Sequence, residues 1–228
     1  MILGHNQYEG NLLANAFAGP PTPTGMNASA FVHALQNLFT DAVFPRGLAR
    51  AIAANYSDTA AAVGRWEAFA AAAGDYGMTC GTVAAQEHGR AAGTGGWYGY
   101  LFTHRSANAL MPGLNATHSS EVPYVFNMTG KDSFFGFPTT MLRFSAADMA
   151  LSRAMQYAWV SFARTGVPDL AGVNGGGIVW SSLGSGMLVE LDWPLRMVPI
   201  VSSQLPRQQG HCDFWRPMIM GAAPTFTK

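Results

Sequence analysis

One segment fixes its own structure from both ends. Ser145 is followed three residues later by Asp148, the spacing at which the first turn of a helix exchanges side-chain and backbone hydrogen bonds as a capping box. Leu151, Met155, Trp159 and Phe162 then recur at helical spacing on one face, and Gly166 with Pro168 stops the run. The pattern predicts a helix from about residue 146 to 164 whose apolar stripe faces a core.

Other elements are written less completely. Met1-Ile2-Leu3-Gly4 reads as the last residues of a buried strand, so the chain is expected to begin inside an element, as a fragment would. After the loop Gly19-Pro20-Pro21-Thr22-Pro23-Thr24-Gly25, the residues Phe31, Leu35, Leu38 and Phe39 mark an amphipathic helix. The Ala-rich stretch from Thr59 to Ala73 predicts another, capped by Ser57 or Asp58 and ended by Gly74, and a further helix covers Gly81 to Ala92. Glycine-bounded and aromatic-rich, Trp97 to Thr103 has the composition of a strand. In the tail, Met187 to Leu191 and Met197 to Val201 are expected to pair as strands, before a short helix near Cys212 to Trp215.

Composition excludes several functions. Basic and acidic residues balance at 13 each, and only 11% of the chain is charged, so there is no basic stripe to neutralise phosphates and no nucleic-acid partner is expected. No apolar run reaches the roughly 18 residues of a membrane span, so no transmembrane segment is expected. A hydrophobic content of 49% is enough for a sizeable core and argues against disorder. His33, His88 and His211 lack metal-ligand spacing with one another or with the cysteines, so neither a metal nor another cofactor is expected. Four N-x-S/T sequons, at Asn27, Asn55, Asn115 and Asn127, are glycosylation candidates, and the two cysteines make an even count that could close one disulfide.

The residues that point to chemistry surround His118. His118-Ser119-Ser120-Glu121-Val122-Pro123-Tyr124-Val125-Phe126 closely resembles the catalytic-histidine segment of the type-B carboxylesterase/lipase family, the cholinesterase-like branch of the α/β-hydrolases. The resemblance continues in the family's order. Gly4-His5-Asn6-Gln7-Tyr8-Glu9-Gly10 looks like the segment with the triad acid. Tyr100 to Ser106 looks like the strand and H-R pair before the histidine loop. Trp159 to Pro168 looks like the W-x-x-F-A-x-T-G-x-P segment, and Trp180 resembles the tryptophan opening the next turn. Cys212-Asp213-Phe214-Trp215 looks like the C-x-F-W near the family's carboxyl end.

What the resemblance implies is an α/β fold: the C-terminal portion of an α/β-hydrolase, helix-rich with a few strands of the central sheet, residues 1–228 forming part of one such domain. His118 and Glu9 take the positions of the triad histidine and acid, and Cys80 and Cys212 the positions of a disulfide pair that would staple the last helix to the strand layer. The implied activity is hydrolysis of a small-molecule or lipid ester, and the implied location is the secretory pathway, with a signal peptide in a missing amino-terminal part. Two parts of the pattern are absent: no serine stands in G-x-S-x-G, and no glycine-rich oxyanion segment is present. This chain alone is therefore expected to be inactive. A third departure, Ser119 where cholinesterases commonly have glycine, is one the loop is expected to absorb.

Blander readings apply to the neighbours. Ser185, between two glycines, reads as a turn, and His5 and His104 read as structural. Glu121 reads as a helix-start or buried hydrogen-bonding residue, and Trp97, Tyr98, Tyr100 and Trp159 as core. The alternative function is a catalytically inactive binding or adhesion module, or a truncated remnant; retention of both Glu9 and His118 argues against the module.

Overall fold

Short strands separated by long helical stretches pair in parallel only through crossovers, and the computed structural model of the chain has that arrangement. It describes residues 1–22, 24–93, 95–106, 113–128, 133–134, 137–138, 144–170, 177–200 and 206–221. From the amino end the elements are β1 (Ile2–Asn6), α1 (Asn11–Ala18), α2 (Ala28–Leu38), α3 (Leu48–Asn55), α4 (Ser57–Val63), α5 (Arg65–Gly74) and α6 (Cys80–Ala91). There follow β2 (Tyr98–Phe102), α7 (Val122–Val125), β3 (Ser133–Phe134), β4 (Phe137–Pro138), α8 (Ala146–Thr165), β5 (Met187–Leu191), β6 (Arg196–Pro199) and α9 (Pro206–Ile219). They fall into two compact units, residues 1–7 with 85–203 and residues 8–84 with 204–228.

The first unit holds a four-stranded sheet in the order β1-β2-β5-β6. Both β1 and β5 run parallel to β2, and β6 returns antiparallel beside β5. Gly4 stands opposite Tyr100 in that register, and a Cβ there would lie 2.2 Å from the Tyr100 ring, so only glycine fits. Helix α8 meets β2 through rings: Trp159 lies 5.6 Å from both Tyr100 and Trp180, and Phe162 lies 6.0 Å from Tyr98. The Trp180 indole N–H donates to the Gly99 carbonyl of β2. Leu101, Leu183, Leu188 and Ile200 close the core beside them.

In α8 the expectation holds at both ends. Ser145 Oγ accepts from the Asp148 backbone N–H, the Asp148 carboxylate accepts in return from Ser145, and Gly166 closes the helix in the left-handed conformation. Leu151 and Met155 are fully buried. The opening strand is longer than its apolar run, because β1 continues through His5 and Asn6, which are paired with Leu101 and Phe102. The predicted tail strands are β5 and β6; Val201 lies outside the described residues.

The second unit is helical and centres on α5, whose Ala68, Phe69 and Ala72 are fully buried. Here the Ala-rich reading needs correction. The stretch is two helices, broken at Gly64 with φ +113°, and Ser57 and Asp58 lie inside α4 without capping it. Gly74 does not stop the chain either, since a π-helical turn, Asp75–Thr79, follows directly and leads into α6. Gly10 and Gly74 permit a close backbone approach: a Cβ on Gly10 would lie 1.8 Å from the Ala70 carbonyl oxygen and 2.6 Å from the Gly74 nitrogen. Helix α2 buries Phe31 and Leu35 as its spacing predicts. The last helix, α9, is longer than the four residues singled out in the sequence.

Cys80 and Cys212 are disulfide-bonded, as the resemblance implies. The staple differs from expectation. Cys80 is the first residue of α6, so the bridge ties the last helix to another helix and not to a strand.

Candidate active site

His118 follows β2 in a loop whose backbone is determined by a few polar contacts. Leu114, Ala116 and Thr117 are buried and anchor it, while His118 itself is half-buried. Asn115 and Ser119 both take left-handed backbone conformations, with φ 57° and 65°. The Ser120 N–H donates to the Thr117 carbonyl at 3.1 Å, and the Val122 N–H donates to the Ser119 carbonyl at 3.2 Å. Pro123 in the first turn of α7 suits a helix start, because its missing N–H would have no partner there.

From the end of β1, the side-chain nitrogen of Asn6 donates to the Thr117 carbonyl at 2.7 Å and to Glu121 Oε2 at 2.5 Å. Glu121 thus has the hydrogen-bonding role read from the sequence. At its far end the loop is held by α8, where Ser152 Oγ donates to the Tyr124 carbonyl and the Tyr124 hydroxyl donates to Asp148 Oδ1, both at 2.7 Å. Phe102 and Phe144 pack against the Tyr124 ring.

Asp148 is also one of two carboxylates on His104. The ring's Nε2 lies 2.8 Å from Asp148 Oδ1 and its Nδ1 lies 2.6 Å from Asp192 Oδ1. Each ring nitrogen thus faces a carboxylate oxygen from a different part of the chain. Burial alone would raise the Asp148 carboxyl, but hydrogen bonds from Ser145, Tyr124 and His104 outweigh it and hold the group well below the usual carboxylate range. Burial, then the hydrogen bond to Asp148 and its negative charge, push the Tyr124 hydroxyl well above its ordinary value. His104, read as structural, thus joins Asp148 and Asp192 at the end of the His118 loop.

Glu9 lies in the second unit, three residues beyond the end of β1, and is buried at 7% exposure. Its neighbour Gly10 occupies the close approach to α5, which gives the E-G pair of the sequence a packing reason. Of the other residues singled out, Ser185 lies in a single 3-10 turn, and His5 is buried with Nδ1 3.1 Å from the Asn6 carbonyl. Tyr98 is core, while Trp97, Tyr100 and Trp159 are partly buried. The sequons divide: Asn27 and Asn127 are exposed, Asn115 is half-buried, and Asn55 is half-buried with Oδ1 2.8 Å from His211 Nδ1. Asn27 also caps α2 by accepting from the Ala30 N–H. Among the described residues no cluster of His, Cys, Asp and Glu could hold a metal ion, and no helix is long and apolar enough to cross a membrane.

The sequence reading gave Asn6 no role and His104 a structural one. Asn6 stands inside the Gly4 to Gly10 segment and His104 inside the H-R pair, so motif position was the available signal; their contacts span 111 and 44 residues and leave no local pattern.

A partly parallel sheet with a helix packed on it and a histidine loop beyond a strand's carboxyl end defines part of an α/β-hydrolase, and the match of the carboxylesterase family model to residues 1–215 shows that the chain belongs to that family. Among curated proteins it is similar to acetylcholinesterase of Bungarus fasciatus, 31% identical over 120 residues, which are 52% of this chain and 18% of that protein. It is also similar to fumonisin B1 esterase of Sphingopyxis macrogoltabida, 46% identical over 54 residues, which are 24% of this chain and 10% of that one. The matches therefore cover a minor part of each relative.

Proposed function

We propose that this chain supplies the histidine and the acid of a serine carboxylic-ester hydrolase. The observation that carries the reading is the His118 segment, in a chain of the carboxylesterase family, following a parallel strand and tied back to the last residue of the adjacent one. Open α/β sheets carry their chemistry at the carboxyl ends of parallel strands. In this reading the nucleophile comes from sequence outside these 228 residues, since no serine here stands in a nucleophile turn.

The serine hydroxyl attacks the ester carbonyl while His118 takes its proton. His118 then returns that proton to the departing alcohol, and the acyl-enzyme is opened by water by the same route. Glu9 holds the imidazole in the tautomer that accepts from serine and stabilises its protonated form. The substrate is a small-molecule or lipid ester. A secretory-pathway location is supported by the Cys80–Cys212 bridge, since disulfides persist in oxidising compartments; two free thiols in the native protein would remove that support.

The test uses the full-length protein that carries this chain. His118→Ala is expected to lower kcat on a p-nitrophenyl ester on the order of ten-thousand-fold with KM little changed. Turnover near the parent level would sink the assignment.

A further inference from the structure

A side chain on the neighbouring strand bonds to the His118 loop on both sides of the histidine. Asn6 ends β1, is paired there with Phe102 of β2, and is 1% exposed. A primary amide nitrogen carries two hydrogens, and both are placed: one on the Thr117 carbonyl and one on Glu121 Oε2. The two acceptors bracket His118, one residue before it and three after. Between them the backbone passes through the left-handed turn at Ser119, so the stretch carrying the imidazole is a short arc pinned at both ends to one rigid strand.

We propose that Asn6 is a positioning residue for His118: its amide clamps Thr117 and Glu121 and so fixes where the imidazole stands. This rests on the reading of His118 as the catalytic histidine. Few other side chains meet the requirement. Aspartate has no hydrogen to give and would set a second negative charge against Glu121. Serine has one hydrogen and is too short to span both acceptors, and alanine gives nothing.

The experiment compares four variants of the full-length protein: His118→Ala, Asn6→Ala, Asn6→Asp, and Asn6→Asp combined with Glu121→Gln. Turnover of a p-nitrophenyl ester and amide hydrogen exchange of residues 114–124 are both measured. Asn6→Ala is expected to lower kcat roughly 10- to 100-fold, the scale of a misplacement of about an ångström. KM should stay within about threefold, while exchange of the loop amides rises about tenfold, a local opening. Asn6→Asp should lose more, and adding Glu121→Gln should recover part, because the glutamine amide donates back to the new carboxylate. Should Asn6→Ala not fold, Asn6→Ser keeps a polar group in the buried position and replaces it.

Unchanged loop exchange in Asn6→Ala would overturn the clamp. Faster exchange with unchanged kcat, beside an inactive His118→Ala, would overturn the positioning role alone. Full turnover in His118→Ala would overturn the catalytic reading and this proposal with it.

Discussion

Replacing Asp75 by asparagine should remove a pH dependence built into the second unit. Asp75 opens the π-helical turn and is 3% exposed; its Oδ2 accepts from the Tyr56 hydroxyl at 2.7 Å, and that hydroxyl oxygen accepts from the Trp215 indole at 2.8 Å. Burial pushes the carboxyl up from an ordinary 3.8 to about 7, against the smaller lowering effect of the Tyr56 hydrogen bond. A group whose folded value is raised stabilises the fold fully below its unfolded value and loses that contribution as pH rises to the folded value. The window here runs from about pH 4 to about pH 7. At about 1.4 kcal/mol per pH unit, the whole displacement is worth about 4 kcal/mol, and about 3 kcal/mol of it is lost between pH 5 and pH 8. In Asp75→Asn the amide oxygen still accepts from Tyr56 and nothing titrates. Urea denaturation of the full-length parent and variant at a series of pH values should therefore show stabilities that diverge in the variant's favour as pH rises. The carbonyl stretch of a buried protonated carboxyl should vanish from the variant's infrared difference spectrum. Parallel stability curves across pH 4 to 8 would refute the reasoning.

Two further outcomes are open to measurement. Cys80→Ser combined with Cys212→Ser should cost roughly 4 to 5 kcal/mol, the chain-entropy value for a closed loop of this length, read as a lower urea midpoint; an unchanged midpoint would contradict it. Gly10→Ala sets a methyl group into the Ala70 and Gly74 backbone, which can yield only by moving helix α5. A loss of about 1 to 3 kcal/mol is expected from such overpacking, and an unshifted thermal melt would show that the loop and helix separate freely.

The parts of the fold legible in the sequence were those whose determinants are local. Helix α8 carries its own cap, stripe and stop within about 25 residues, and all three are where the spacing placed them. The Ala-rich stretch misled for the same reason. Alanine dominates residues 59–73, but Gly64, the poorest helix former in the run, takes φ +113° and divides it. Helix α9 was read short because its polar, proline-containing sequence shows little periodicity; among its described side chains only Trp215 and the bridged Cys212 are buried. At the site, the motif around His118 was legible from resemblance. The clamp from Asn6 and the two carboxylates on His104 were not, since each joins residues far apart in the chain through single side-chain atoms.

Ser119 sits among such distant contacts. At φ 65° a residue with a Cβ is disfavoured by roughly 1 to 2 kcal/mol, whereas glycine is not, so serine here is a local disadvantage. A backbone held in that conformation persists only when its surroundings over-determine it. Around Ser119 they do: the Thr117 carbonyl accepts from both Asn6 and Ser120, Glu121 accepts from Asn6, and the Ser119 carbonyl itself accepts from Val122. A neutral hydrogen bond contributes roughly 0.5 to 1.5 kcal/mol and one to a charged group roughly 1.5 to 3, so the set outweighs the strain. Two of those bonds come through one side chain on β1, so loss of the Asn6 amide would remove part of what opposes the strain at Ser119. The residue after His118 and the residue at the end of β1 are therefore energetically linked, although 113 positions separate them in the sequence.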